Sequence, residues 1–167
     1  MIFLEKVLKP KTIFDKSFFL KDCSKNYILN HYPELETLIN SLASQMPNKK
    51  YLTIDYQGLN LKSGQKTCKD TSWHIDGEGN NYILVCWGDF KTQFAGNFQF
   101  SNTNRKTRLT ELKKMNIDRF QEALEGVPVA YSSDCVHRGC RADQAGQRLF
   151  LRLCMSDYLH PKNKKLF

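Results

Sequence analysis

The sequence predicts a mainly β protein, with a jelly-roll core and a few α-helices beside it. From Tyr51 onward, short segments rich in β-branched and aromatic residues alternate with turn residues, which is typical of all-β barrels and sandwiches. Before that point, one segment has apolar residues at helical spacing. The length of 167 residues is that of one domain. We expect residues 1–50 to form an N-terminal support, residues 51–156 the jelly-roll core and residues 157–167 a basic tail.

The N-terminal helix is predicted to run from Glu34 to about Met46. Pro33 precedes it, and proline favours the first turn of a helix. Four apolar residues recur at helical spacing, which predicts that one face of the helix packs on the outside of a sheet. These residues are Leu35, Leu38, Ile39 and Leu42.

The strands of the core are predicted from alternation of polar and apolar residues and from β-propensity. They are Tyr51–Tyr56, Ser72–Asp76, Tyr82–Trp87, Val127–Tyr131 and Gln147–Met155. A hairpin is predicted over residues 93–100, with Gly96 and Asn97 in its tight turn. The glycine-containing segment Gly77–Asn81 is predicted to be a flexible loop of the kind that can act as a lid.

Residues 101–126 interrupt the strand pattern and contain the densest basic cluster in the chain. Its members are Arg105, Lys106, Arg108, Lys113 and Lys114. One or two short helices are predicted from the helical spacing of Leu109, Leu112 and Met115, and then of Phe120 and Leu124. The cluster has two interpretations: a solvated helix face, or an insert that positions substrate through Arg105, Lys106 and Arg108.

Composition and charge limit the partners and the cellular location that we expect for the protein. The net charge is +8, which fits a solvated surface and equally a field that attracts an anionic substrate such as nucleic acid. The longest apolar run, Tyr82–Trp87, is far too short to cross a bilayer. Met1–Leu4 is followed at once by charged residues, so we expect no signal peptide and a cytoplasmic location without membrane attachment. Six cysteines without a CxxC pair are expected to be reduced.

Three residues have the chemistry of a metal site. His74 and Asp76 form a His-x-Asp pair, and on an extended segment both side chains point the same way. His137 lies far along the chain and would have to come from a neighbouring strand. Two imidazoles and one carboxylate are the facial triad of non-haem Fe(II) oxygenases, which leaves positions open for other ligands. Each histidine alone is equally at home in a core or on a surface.

Arg148 and Arg152 lie four residues apart in the last predicted strand and therefore share one face. Leu149, Leu151 and Leu153 occupy the opposite face. A buried arginine needs a partner, because an unpaired buried charge is costly. Either a bound dicarboxylate or a structural carboxylate such as Asp134 or Asp143 would supply one.

Together these residues resemble the Fe(II)- and 2-oxoglutarate-dependent dioxygenases, in particular the taurine dioxygenase and phytanoyl-CoA hydroxylase branches. The motif of that superfamily is His-x-Asp/Glu, a distal His, and Arg or Lys about ten residues later. Residues 73–77 and 127–156 carry the resemblance, whereas the first 50 residues match no family. It implies a double-stranded β-helix of cupin-like form, with Fe(II) on His74, Asp76 and His137. It also implies 2-oxoglutarate as co-substrate with its far carboxylate on Arg148, O2 as oxidant, and release of succinate and CO2.

Several roles stay open at this point. Arg152 is predicted to hold either 2-oxoglutarate or an anionic substrate. Trp73 is predicted to be core packing or a platform for the co-substrate or substrate. A hydroxyl partner for the co-substrate carboxylate is expected among Tyr82, Thr92 and Ser101.

Two other functions fit the residues. A cupin-type metalloprotein would use the same ligands for different chemistry, with Arg148 tied to a protein carboxylate. A non-catalytic nucleic-acid-binding module would bind through the basic cluster in a salt-dependent way. The sequence predicts neither the oligomeric state nor the identity of the substrate.

Overall fold

The computed structural model describes residues 1–69, 71–77, 79–101 and 104–159. The last eight residues of the predicted tail lie outside the described part, as do one residue of the predicted lid loop and two of the 101–104 loop. The strands are β1 Ile2–Phe3, β2 Phe18–Ser24, β3 Tyr51–Leu61, β4 Asn81–Gly88, β5 Gln93–Asn97, β6 Gln121–Glu122, β7 Val129–Ser132, β8 Cys135–Arg138 and β9 Gly146–Ser156. The helices are α1 Lys25–His31, α2 Glu36–Ala43 and α3 Arg105–Leu112, with a 3-10 turn at Pro33–Leu35.

The strands form two antiparallel sheets. The larger sheet has the order β1-β7-β4-β9-β3-β2, and the smaller has the order β6-β5-β8. Strand β9 lies near the middle of the larger sheet and pairs with β3 along its whole length. The prediction of a mainly β, jelly-roll fold with a few flanking helices is confirmed by this arrangement. The division of the chain into support, core and tail stays a prediction, although β2 from the predicted support completes the larger sheet.

The two faces of β9 have different environments, as the alternation of leucine and arginine predicts. On the outer face, Leu149, Leu151 and Leu153 are buried against residues of α1 and α2. On the inner face, Phe150 packs with Phe94 of the small sheet in a second apolar cluster. The inner face therefore looks into the space between the sheets, where Arg148 and Arg152 also lie.

The helix predicted after Pro33 is present but shorter than expected. Pro33 begins a 3-10 turn, and α2 follows from Glu36 to Ala43. Leu35, Ile39 and Leu42 of this segment are fully buried. Helix α1 was not predicted, although the Ser24 hydroxyl before it accepts the backbone N–H of Tyr27 as an N-cap.

Three predictions of local structure are wrong in whole or in part, although the first helix predicted in residues 101–126 is present as α3. The hairpin over residues 93–100 does not form, because Gly96 has a φ of +92° within a bulge of β5 and pairs with Val136 instead. No helix forms around Phe120 and Leu124, where the short strand β6 pairs with β5. The segment Ser72–Asp76 is extended only at one isolated bridge.

Candidate metal and co-substrate site

A backbone bridge brings the two histidines together. The N–H of His74 donates to the carbonyl of His137 at 2.9 Å, and the N–H of His137 donates to the carbonyl of His74 at 3.0 Å. Their ring centroids are 4.5 Å apart. His137 belongs to β8 of the small sheet and is 3% exposed, so the bridge attaches the His-x-Asp segment to that sheet.

The hydrogen bonds of both rings determine which nitrogen can bind a metal. Nδ1 of His74 lies 2.8 Å from the Ser72 carbonyl, and Nδ1 of His137 lies 3.0 Å from the Cys135 carbonyl. A carbonyl oxygen only accepts, so each Nδ1 carries the hydrogen. In the neutral rings Nε2 therefore holds the lone pair, which is the state that a metal ligand requires.

Asp76 completes the group, and the three side chains fit one metal ion. Its Oδ2 lies 3.4 Å from Nε2 of His137. The ligand atoms of His74, Asp76 and His137 all lie within 4.8 Å of one another. Ligands at about 2 Å from one ion are separated by roughly 3–4 Å. A nitrogen lone pair and a carboxylate oxygen repel each other at this distance, so the pair needs either a proton on Nε2 or a cation bound between them.

The Asp76 carboxyl is held in its charged form. Burial alone would raise its pKa, but the Arg152 guanidinium, then His137 and His74, outweigh burial and hold the pKa well below its usual range. Tyr131 donates its hydroxyl to the same Oδ2 at 3.1 Å. Burial first, and then the charge of Asp76, raise the Tyr131 pKa, so this tyrosine remains a hydrogen-bond donor.

Arg152 is occupied by carboxylates of the chain itself. Its Nη1 donates to Asp76 Oδ2 at 2.9 Å, and its Nη2 donates to Asp55 Oδ2 at 2.6 Å. The sequence interpretation, in which Arg152 holds 2-oxoglutarate or substrate, did not include Asp55. The signal available was a charged residue inside the apolar alternation of β3, where Asp55 lies directly opposite Arg152 in β9.

Arg148 has no such partner. It is 3% exposed, and Nη2 donates to the Thr92 hydroxyl at 2.6 Å. Its guanidinium carbon lies 4.8 Å from the centre of the Phe150 ring. Its Nε is buried without a hydrogen-bond partner, and among the described residues no carboxylate forms an ion pair with it.

The structural carboxylates considered as partners of Arg148 lie elsewhere. Asp134 forms an ion pair with Arg108. Asp143 is exposed, and its backbone carbonyl accepts the Ser63 hydroxyl. The interpretation in which Arg148 is satisfied by either side chain is therefore wrong for the described residues.

Only one of the three hydroxyls considered as co-substrate partners contacts Arg148. It is Thr92, which is 3% exposed. The Tyr82 hydroxyl instead accepts the backbone N–H of Gly77 at 3.1 Å. Ser101 bonds to Glu111. Thr92 is therefore the hydroxyl at the predicted co-substrate position.

Trp73 lies on the outer side of the small sheet rather than between the sheets. It packs on the apolar cluster of Ile75, Leu112 and Val136. The Arg138 guanidinium carbon lies 4.2 Å from the centre of its ring. These contacts agree with the interpretation of Trp73 as packing.

The basic residues of α3 have different environments. Arg105 donates to the backbone carbonyls of Ile75 and Asp76 at 3.1 and 3.2 Å, and so attaches α3 to the candidate metal segment. Arg108 pairs with Asp134, while Lys106 is exposed. Positioning of substrate by these three residues stays a prediction, because two of them also have structural contacts.

A cavity of about 340 Å³ opens at the edge of the large sheet. Its walls include Tyr82 and Tyr131, whose rings stack at 5.1 Å. The three candidate metal ligands do not line this cavity. Tyr131 lies between the cavity and the candidate metal site, because its ring lines the cavity and its hydroxyl donates to Asp76. The size is within the range of small-molecule pockets.

Comparisons with known proteins give a distant likeness of structure. No protein-family model and no curated protein sequence matches the chain. A cupin protein from Bacteroides fragilis is 10% identical over 94% of this chain and 91% of that chain, with a TM-score of 0.39. EvdO2 from Micromonospora carbonacea var. aurantiaca, complexed with 2-oxoglutarate, is 9% identical over 92% of this chain and 76% of that chain, with a TM-score of 0.43.

Oxalate oxidase in complex with glycolate is also similar, at 11% identity over 93% of this chain and 60% of that chain, with a TM-score of 0.40. Because these values are low, the fold class rests on the sheets of this chain and the candidate site on its own side chains. Among the described residues, no helix has the length and apolar character needed to span a membrane.

Proposed function

We propose that this protein is an Fe(II)- and 2-oxoglutarate-dependent dioxygenase that hydroxylates its substrate and releases succinate and CO2. His74, Asp76 and His137 would hold the iron through two Nε2 atoms and one carboxylate. Such a ligand set suits Fe(II) and leaves coordination positions for a co-substrate and O2. The bound iron and its co-substrate supply the oxidative chemistry, and the protein supplies orientation and a shaped pocket.

The observation that carries this proposal is the state of Arg148. Its guanidinium is 3% exposed and has one hydroxyl contact but no described carboxylate partner. A buried charge without a counter-ion costs several kcal/mol, so about that much stabilisation is available to an anion that binds there. A carboxylate suits the position, because the planar guanidinium can donate two parallel hydrogen bonds to it.

Thr92 offers a second hydrogen-bond donor to a carboxylate bound at Arg148. Its hydroxyl oxygen accepts from Arg148, which leaves its own hydrogen free to be donated. A carboxylate placed beside Arg148 and Thr92 would thus receive donors from both side chains. The far end of a short dicarboxylic acid fits this need, while its other end would lie towards the metal ligands.

The two other functions have less support. A protein carboxylate paired with Arg148 would favour the cupin-type metalloprotein with different chemistry, and among the described side chains none forms that pair. The nucleic-acid-binding module would bind through the basic cluster, in which Arg105 donates to the Asp76 backbone carbonyl and Arg108 pairs with the Asp134 carboxylate. The net charge of +8 favours an anionic substrate for the dioxygenase.

The test is succinate formation that depends on both Fe(II) and 2-oxoglutarate. Wild-type protein is compared with His137→Ala, which removes a metal ligand, and with Arg119→Met, which alters an exposed arginine. We expect succinate from the wild type and from Arg119→Met but none above background from His137→Ala. Equal turnover of His137→Ala and wild type would refute the proposal.

A further inference from the structure

A network of charged side chains lies on the inner face of the large sheet and includes Asp76. The guanidinium of Arg152 lies between two carboxylates. Its Nε and Nη2 donate to Asp55 Oδ2 at 3.1 and 2.6 Å, and its Nη1 donates to Asp76 Oδ2 at 2.9 Å. All three nitrogens of Arg152 are thus bonded to carboxylates of the chain.

Asp55 is itself fixed in place. It is 4% exposed, and its Oδ1 accepts the backbone N–H of Asp22 at 2.7 Å. Asp22 lies in a bulge of β2 and has a φ of +53°, a left-handed conformation that aspartate adopts more often than most residues other than glycine. The bulge therefore places the backbone N–H of Asp22 where it binds the Asp55 carboxylate.

The geometry points to Arg152, anchored by Asp55, as a positioning residue for the carboxylate of Asp76. This inference rests on the proposed function, in which Asp76 is a metal ligand. A carboxylate can turn about its Cβ–Cγ bond, and a turned carboxylate presents its lone pairs in the wrong direction. Arg152 and Tyr131 both donate to the same oxygen of Asp76, and these two hydrogen bonds restrict rotation of the carboxylate beside His137.

The two arginines of β9 therefore have separate tasks. Arg148 has an unpartnered Nε and no described counter-ion, so it is available to a bound anion. Arg152 has two counter-ions within the chain, so a co-substrate would have to displace one of them. Although the two residues share a face of the strand, only Arg148 is suited to bind 2-oxoglutarate.

Charge and orientation predict opposite effects on metal affinity. Arg152 places a positive charge next to the site, so its removal would by charge alone tighten the binding of a divalent cation. Loss of orientation would instead weaken binding, and the loss of a residue that orients a metal ligand commonly costs about 10–100-fold in affinity. The direction of the change therefore distinguishes the two effects.

Two variants keep the net charge around Asp76 unchanged. Arg152→Lys retains the cation but loses the planar fork that bonds Asp55 and Asp76 together. The double variant Asp55→Asn with Arg152→Met removes one charge of each sign, so Asp55 is not left as a buried carboxylate without its counter-ion. Arg119→Met serves as the control, since this arginine is exposed.

The experiment titrates each full-length protein with Co²⁺ and follows its visible absorption, which reports affinity and coordination without turnover. We expect both charge-conserving variants to bind Co²⁺ about 10–100-fold more weakly than wild type, while Arg119→Met binds equally. We also expect the Co²⁺-saturated variants to retain 2-oxoglutarate binding, because Arg152 does not serve that ligand.

The possible results separate this inference from the proposed function. Co²⁺ affinity equal to or tighter than wild type in both variants would exclude positioning and leave the proposed function intact. Intact Co²⁺ affinity with lost 2-oxoglutarate binding would instead assign Arg152 to the co-substrate. Wild-type protein that takes up no Co²⁺ would refute both proposals. Weaker Co²⁺ binding in the variants, with no 2-oxoglutarate binding to any protein, would support positioning and refute only the dioxygenase proposal.

Discussion

Replacement of Arg148 by methionine is predicted to stabilise the ligand-free protein and to abolish its response to 2-oxoglutarate. Methionine has a similar length and carries no charge. The substitution therefore removes a guanidinium that is 3% exposed and has a single hydroxyl contact. A residue kept for ligand binding at the expense of stability should behave in this way.

The size of the effect follows from two opposing contributions. The substitution loses the hydrogen bond to Thr92, worth about 1.5–3 kcal/mol for a charged donor, and the contact with the Phe150 ring, worth about 1 kcal/mol. It removes a desolvation penalty of several kcal/mol. For comparison, replacement of a whole buried ion pair by apolar residues of similar size is often neutral or stabilising by about 1–4 kcal/mol. We expect a gain of about 1 kcal/mol, which raises the Tm by about 2–4 °C for a chain of this length.

The assay is thermal unfolding in the presence of Co²⁺ under nitrogen, with and without 2-oxoglutarate. At a concentration about 100 times the Kd, a ligand stabilises the native state by about 2.7 kcal/mol. Wild type should gain this amount, and Arg148→Met should gain none. Arg119→Met, the exposed control, should match wild type in both conditions. A clear fall in the Tm of ligand-free Arg148→Met, or an unchanged response to 2-oxoglutarate, would refute the interpretation of Arg148.

Two further predictions concern single residues away from the metal ligands. Burial raises the pKa of the Cys154 thiol to about 11, so alkylation of Cys154, followed on its own peptide, should rise with a midpoint near pH 11 in the native protein and at about pH 8.5 in the urea-unfolded protein. The same shift contributes stability that is complete below about pH 8.5 and is lost as the pH rises through about 11; an equal midpoint in both states would contradict this. Gly88 has a φ of +94°, and a Cβ there would lie 2.3 Å from the Gln147 carbonyl oxygen, whereas Gly64 has a φ of +81° with open space around it. Gly88→Ala should therefore lower the free energy of unfolding by about 2 kcal/mol more than Gly64→Ala in urea titrations, and equal losses would show that the close contact relaxes freely.

The sequence predicted those parts of the site that depend on local pattern. His74 and Asp76 could be recognised from their spacing, and Arg148 and Arg152 from the alternation of β9. The partner of Arg152 could not be found in this way, since Asp55 is 97 residues away and the two meet only through strand pairing. Nothing in the local pattern distinguishes a paired arginine from an unpaired one.

The wrong predictions of local structure also result from strand pairing between residues that are distant in the sequence. Gly96 was predicted to be a hairpin turn, because a glycine before an asparagine favours one, yet a glycine with positive φ also suits a bulge. Gly96 lies in a bulge because it pairs with Val136, which belongs to a strand distant in the sequence. The helix predicted at Phe120 failed similarly, since β6 there pairs with Gln93 and Phe94.

The reciprocal hydrogen bonds between His74 and His137 have a practical consequence for protein engineering. Because they join main-chain atoms, they persist when either imidazole is replaced by any side chain other than proline, which lacks the N–H. Alanine or glutamate at either position should therefore leave the two segments aligned. The side chains proposed as metal ligands could thus be exchanged without loss of the backbone contact that brings them together.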